Sequence, residues 1–278
     1  MTFTFNHSPV YSNAFMYPLL FEIPIFGGIR IYTYGVLVAT AFVLGILWTT
    51  REAKLAGVKP DFVLDLAFYI ILAALAGSRI LYIITDWHRY VERPLDVLKI
   101  WEGGLVFYGG FIGALVVSFY FIRKHGYPFL KIADLFVPGV ALGHSIGRLG
   151  CFAAGCCYGR EAPASWLAVV FPSGPYSLAP GGVPLFPSQL FESAAEFLIF
   201  LILIACRRKK SFEGQVFLIY LVLYSISRSI LEIFRGDSIR GFVIPKYLST
   251  SQFISGCMVV LAAIIYVRLK RRSGHLQP

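Results

Sequence analysis

Long apolar runs, broken at intervals by short clusters of basic residues, set the character of this chain. A helix needs roughly 20 consecutive apolar residues to cross a bilayer. Seven such runs can be marked, at 31–50, 64–85, 105–122, 132–152, 188–206, 214–235 and 251–268. The fourth carries Gly139, Gly143, Gly147 and Gly150 behind Pro138, a small-residue spacing that lets helices approach closely in a membrane. The pattern predicts an all-α integral membrane protein, a polytopic bundle of about seven transmembrane helices with a small outward-facing head. One membrane-embedded domain over 1–278 is expected. It comprises an interfacial arm at 1–30, the head at 153–187, rich in Pro and Gly, and a tail at 269–278. The arm lacks a charged opening, and Pro9, Pro18 and Pro24 interrupt any early helix, so it does not read as a cleavable signal peptide. No internal repeat or low-complexity tract is visible.

Composition agrees with the pattern. The 278 residues are 57% hydrophobic and only 14% charged, against about 25% charged in an average soluble domain. The net charge of +10 could suggest a nucleic-acid partner. In a membrane protein, basic loops instead set topology and meet anionic lipid headgroups, so no nucleic acid is expected. The distribution of the charge supports this. Fourteen Lys and Arg lie in one set of loops: Arg51, Lys54, Lys59, Arg123, Lys124, Lys131, Arg207, Arg208, Lys209, Lys210, Arg268, Lys270, Arg271 and Arg272. Seven lie in the other: Arg30, Arg89, Arg93, Lys99, Arg160, Arg240 and Lys246. The positive-inside rule places the first set in the cytoplasm, with the N-terminus and the head outside and the tail inside.

The remaining arginines, Arg79, Arg148, Arg228 and Arg235, fall inside or at the ends of the apolar runs, as do Asp134, Glu192, Glu196 and Glu232. A charge in hydrocarbon costs at least about 2.5–3.5 kcal/mol, so these groups must face partners or a wet cavity. The densest motif runs from His144 through Gly147, Arg148, Gly150, Cys151, Cys156 and Cys157 to Arg160. On a helix His144, Arg148 and Cys151 share one face. An arginine there suits an anionic headgroup, because its planar fork matches phosphate oxygens; alternatively it pairs with Asp134 or Glu192 to hold the bundle.

Three further patterns carry candidate chemistry. Arg228, Glu232 and Arg235 are spaced i, i+4, i+7, a single helical stripe. At 187–192, Ser188 is placed to cap a helix, and Gln189 and Glu192 point the same way. From Trp101 to Gly110, two Gly-Gly pairs flank an apolar strip containing Tyr108, which could donate a hydrogen bond or serve as an interfacial aromatic.

The five cysteines do not form a disulfide framework. Cys206 and Cys257 sit in apolar runs as core fillers. A metal site from His144, Cys151, Cys156 and Cys157 is weighed and set aside, because vicinal Cys156 and Cys157 lack the usual CxxC zinc spacing. A Cys–His nucleophile is conceivable, but small thiols packed near glycine are the commoner case.

Taken together these motifs resemble the prolipoprotein diacylglyceryl transferase family. The stretch from Gly147 to Gly159 matches the frame of its Gly-Arg-x-Gly-Asn-Phe signature, with Arg148 on the signature arginine. Tyr34-Gly35 resembles its first-span tyrosine motif, Gly77-Ser78-Arg79 its second-span arginine motif, and Trp101 to Gly110 the segment holding a functional histidine. Pro187 to Glu192 resembles its Pro-Ser-Gln-Leu-Tyr-Glu run, and Arg228, Glu232 and Arg235 fall on its Arg…Glu-Phe-Phe-Arg helix. The resemblance spans roughly 20–268. Three positions differ: Tyr108 replaces the histidine, Cys151 the signature asparagine and Cys156 the signature glutamate.

The resemblance implies a bacterial multi-pass protein of the inner (cytoplasmic) membrane that moves the diacylglyceryl group of phosphatidylglycerol to the lipobox cysteine thiol of a preprolipoprotein. Glycerol-1-phosphate leaves and a thioether forms. Its partners would be phosphatidylglycerol, preprolipoprotein signal peptides and membrane lipids, with no cofactor and no metal. Arg148, Arg228, Glu232 and Tyr108 are the expected catalytic residues, with Arg148, Tyr34, Arg79, Gln189, Glu192, Arg235, His144 and Cys151 contacting substrate. A transporter or lipid-binding protein with buried Arg–Glu pairs, or a related transferase with another acceptor, are the alternatives.

Overall fold

The structure, a computed structural model, describes residues 17–23, 29–92, 94–99, 103–163, 165–236, 241–244 and 247–274. Trp101 and Glu102 of the glycine-flanked motif, most of the N-terminal arm, and the loop cations Arg93, Arg240 and Lys246 lie outside these residues. Among the described residues eight α-helices dominate: α1 Thr33–Leu55, α2 Pro60–Thr85, α3 Trp87–Glu92, α4 Phe107–Lys124, α5 Phe129–Ala154, α6 Ser188–Arg207, α7 Gln215–Glu232 and α8 Thr250–Gly274. Six of them, α1, α2, α5, α6, α7 and α8, are long and apolar enough to cross a membrane. The chain is therefore an all-α, multi-pass membrane protein. The remaining expected run, 105–122, corresponds to α4, whose 18 residues end in Arg123 and Lys124, and the polar end dilutes its apolar character.

The chain divides into two compact units, 46–136 and 1–45 with 137–278. In the first unit α2 packs on α4 with backbone nearly touching backbone. A Cβ on Gly77 would strike the Gly109 carbonyl, and one on Gly113 the Ala73 carbonyl. Small residues thus set the distance between these helices, as expected where lipid supplies no hydrophobic drive for helix pairing. At one end of the unit, Ala53, Val58, Phe62, Val63, Leu66, Ile122, Ile132 and Leu135 form a buried apolar cluster. Pro60 at the first helical position and Asp61 in the first turn start α2 in the usual way.

The second unit opens with an antiparallel hairpin of β1 (Leu19–Ile23) and β2 (Ile29–Tyr32) that leads into α1. The first half of α1 lies on the second half of α5. A Cβ on Gly45 would sit 2.9 Å from the Gly139 oxygen, one on Gly143 3.2 Å from the Ala41 oxygen, and one on Gly150 3.2 Å from the Tyr34 ring. Three of the four expected small-residue contacts are therefore used, whereas Gly147 faces open space. α5 and α6 are joined by reciprocal hydrogen bonds: Ser145 Oγ donates to the Ser193 carbonyl at 2.9 Å and Ser193 Oγ to the Ser145 carbonyl at 2.8 Å. Gln252 of α8 donates to the Ser229 carbonyl of α7 at 3.3 Å. Between α5 and α6 the 155–187 loops hold a two-stranded pair, β3 (Val169–Val170) with β4 (Pro184–Leu185), over a small core of Phe171, Ala179 and Leu185. A last pair, β5 (Phe242–Ile244) with β6 (Leu248–Ser249), precedes α8.

Candidate active site

Helical spacing delivers the site. Along α5, His144 and Arg148 are one turn apart and Cys151 lies a turn beyond. α6 contributes Gln189, Glu192 and Glu196, and α7 contributes Tyr224, Arg228 and Glu232. His144, Arg148, Glu192, Glu196, Tyr224, Ser227, Arg228 and Leu231 line one narrow cleft.

At its centre stands Glu192, 5% exposed. Its carboxylate faces three guanidiniums: Arg148 Nε at 2.7 Å, Arg228 Nη1 at 3.6 Å and Arg235 Nη1 at 3.8 Å. Arg228 also reaches Glu232 Oε2 through Nη2 at 2.6 Å. Neither Glu192 oxygen takes an aligned hydrogen bond among the described residues. The contacts to Glu192 are those of charge, and Arg228 Nη1 has no aligned hydrogen bond among the described residues. The single Nε–H of Arg148 points instead at Nε2 of His144, 3.2 Å away, while His144 Nδ1 lies 3.3 Å from Glu196 Oε1. The imidazole thus sits between a carboxylate on its Nδ1 side and a guanidinium N–H on its Nε2 side.

The other expected residues of this unit sit around the cluster. Gln189, fully buried, donates to the Cys156 carbonyl at 2.7 Å, and its Oε1 has no hydrogen-bond partner among the described residues. Tyr34, in the first turn of α1, lies against Gly150. The sulfurs of Cys151, Cys156 and Cys157 all lie within 4.8 Å of one another. Outside the spans, the Cys157 thiol is held below its ordinary range by hydrogen bonding from Cys151 and Cys156 and by the charges of Arg148 and Arg235. The Cys156 thiol is pushed up by the same sharing.

Two expectations need correction. Arg235 does not continue the helical stripe of Arg228 and Glu232, because α7 ends at Glu232. It is delivered by a backbone bridge to Gly159, beside which Arg160 N donates to the Phe234 carbonyl at 2.9 Å. Ser188 does not cap α6. Pro187 occupies that position, and Ser188 Oγ donates to the Cys157 carbonyl at 2.8 Å.

Arg79 and Tyr108 belong to the other unit. Arg79 is buried, and its five N–H groups are directed to five backbone carbonyls: Asp96, Val97, Lys99, Gly103 and Gly104. A guanidinium so engaged organises the loop that leads into α4. Tyr108, in the first turn of α4, is 59% exposed and makes an edge contact with Phe107. Glu196 and Tyr224 were not among the expected site residues. Their spacing would have found them, since Glu196 is i+4 from Glu192 and Tyr224 is i−4 from Arg228.

These features define a class: a multi-pass membrane protein whose helices gather arginines and carboxylates at a site suited to an anionic lipid headgroup. The comparisons narrow it. A family model described as prolipoprotein diacylglyceryl transferase matches residues 18–268, and the chain belongs to that family. It is 35% identical over 251 residues to a phosphatidylglycerol–prolipoprotein diacylglyceryl transferase of Clostridium tetani, covering 90% of this chain and 97% of the relative. A second relative of that name from Clostridium perfringens is 35% identical over 247 residues, 89% and 94% of the two chains. One from Clostridioides difficile is 34% identical over 246 residues, 88% and 94%.

Proposed function

We propose that this protein transfers the sn-1,2-diacylglyceryl group of phosphatidylglycerol to the lipobox cysteine of a preprolipoprotein in the bacterial inner membrane, the first step of lipoprotein maturation. The observation that carries the reading is the convergence of Arg148, Arg228 and Arg235 on the single buried carboxylate of Glu192. The thiol sulfur attacks the glyceryl carbon bonded to the phosphate oxygen. The C–O bond breaks, a C–S bond forms, and glycerol-1-phosphate departs as negative charge builds on its phosphate. Cationic donors aimed at that charge lower the barrier. Arg148 and Arg228 supply them by turning from carboxylate to phosphate, and Glu192 and Glu232 keep them in place beforehand. Gln189 Oε1, a buried acceptor wanting a donor, suits a hydroxyl of the glycerol headgroup.

The thiol must lose its proton to become a competent nucleophile. Tyr108, Glu232 and His144 are candidates to assist. His144 has the arrangement of a positioned base, with Nδ1 facing Glu196 and Nε2 freed to accept a proton once Arg148 turns to the phosphate. No protein nucleophile is needed, because the acceptor brings the sulfur. A transporter or passive lipid binder would also use buried arginines, but gives no reason for the Gly-Arg-x-Gly frame around Arg148.

The test is incubation of the purified protein with phosphatidylglycerol and a peptide bearing a lipobox cysteine. Mass spectrometry should show a thioether-linked diacylglyceryl group, with glycerol-1-phosphate released in equal amount. Lipid binding without either product would overturn the reading in favour of a binding protein.

A further inference from the structure

The mechanism above leaves the three thiols of Cys151, Cys156 and Cys157 without a task, yet they form the tightest group of potential ligands among the described residues. Their sulfurs lie within 4.8 Å of one another. Three thiolates around one cation at about 2.3 Å stand roughly 3.8–4.0 Å apart, so a small side-chain adjustment would complete such a set. Spacing along the chain conceals this. Cys151 comes from the last turn of α5, whereas the vicinal pair returns to it through a tight loop.

That loop is pinned. Cys156 N donates to the Cys151 carbonyl at 3.1 Å, and the carbonyls of Cys156 and Cys157 are held by buried Gln189 and Ser188. Cys157 has φ +59°, alone in positive φ among the described non-glycine residues, a backbone state that side chains disfavour. Holding a β-substituted residue there keeps the third sulfur with the other two. All three cysteines are partly exposed and free. The donor set is wholly soft, which selects thiophilic cations over magnesium or calcium.

We infer that Cys151, Cys156 and Cys157 form a binding site for one thiophilic d10 metal cation, which staples the end of α5 to the loop at 155–157. Coordination exchanges thiol protons for the cation and releases them to solvent. Arg148 lies one turn before Cys151, and its own position is held by Glu192 and His144 rather than by the thiols. The guanidiniums of Arg148 and Arg235 offset the net negative charge of a tri-thiolate complex.

The test uses the full-length protein in detergent, reduced with a thiol-free reductant, stripped with chelator and titrated with Cd²⁺ alone. One equivalent should bind with a thiolate-to-metal charge-transfer absorption and raise the unfolding temperature. Cys157→Ser should weaken binding by more than about 100-fold and abolish the thermal shift, because even an outer-shell partner is worth about 10–100-fold in affinity. Cys206→Ser and Cys257→Ser should bind as the unsubstituted chain does. Alkylation mapping of the unsubstituted protein gives an independent readout if Cys157→Ser does not fold: Cd²⁺ should protect Cys151, Cys156 and Cys157 together and leave Cys206 and Cys257 reactive. Equal binding by Cys157→Ser, no saturable binding, protection scattered over all five thiols, or a disulfide within the cluster after non-reducing purification would each overturn the site.

Discussion

At the scale of single residues the chemistry rests on the shape of a guanidinium. Lysine keeps the charge of Arg148 but loses the planar fork that can grip two phosphate oxygens. Arg148→Lys and Arg148→Ala should both lose most transferase activity while the protein still reaches the membrane in normal amount. Near-normal turnover of the alanine variant in a lipobox-peptide assay would remove Arg148 from the mechanism. Arg228 is 2.6 Å from Glu232, so their effects should not add. Removing one leaves the other without its nearest counter-charge in a low-dielectric site, and removing both takes away the pair together. A double-mutant cycle on initial rates should show strong coupling, and independent effects would mean that the two act separately. Where the family pattern differs, the side chains separate by chemistry. Cys156→Ser should keep substantial activity, because the substrate supplies the sulfur and an enzyme thioether would be a poor leaving group. Tyr108→Phe should cost more, because it removes the one hydroxyl that this position could offer to the headgroup or the incoming thiol. Peptide modification by the two variants at matched abundance decides this, and a fully active Tyr108→Phe protein would end that role for the phenol.

At the scale of elements, what the sequence made legible was periodicity. The spacing of His144 and Arg148 on α5, and of Arg228 and Glu232 on α7, follows from 3.6 residues per turn. What was not legible depended on contacts distant in sequence. Arg235 reaches the cluster through a bridge to Gly159, and no local pattern announces that pairing. Ser188 looks like a cap in isolation, but the Cys157 carbonyl, 31 residues away, takes its hydroxyl. Arg79 reads as an intramembrane cation awaiting a ligand until the five carbonyls around it are seen. The small-residue contact of α2 and α4 yields its own test. Gly109→Ala forces a Cβ onto the Gly77 carbonyl and should destabilise by about 1–3 kcal/mol, as overpacking does. Gly256→Ala in α8, where the added carbon meets nothing within 4 Å, should not. Thermal unfolding of the two in the same detergent compares them, and equal midpoints would show that the close contact does not limit stability.

At the scale of the whole molecule, the asymmetry of basic loops predicts which side of the membrane each segment faces. Single cysteines placed in 165–180 of a cysteine-free background should react with an impermeant thiol reagent added outside, whereas those in 207–212 should not. The reverse labelling would invert the topology. The pairing of Arg148 with Glu192 also bears on how the protein is made. The chain emerges from its N-terminus, so α5 with its arginine is synthesised before α6 with the carboxylate that faces it. During that interval Arg148 lacks its eventual counter-charge, and an unaccompanied arginine resists hydrocarbon. Stable lodging of α5 in the bilayer therefore waits on translation of α6, and biogenesis of the site proceeds by helices entering in company rather than one at a time.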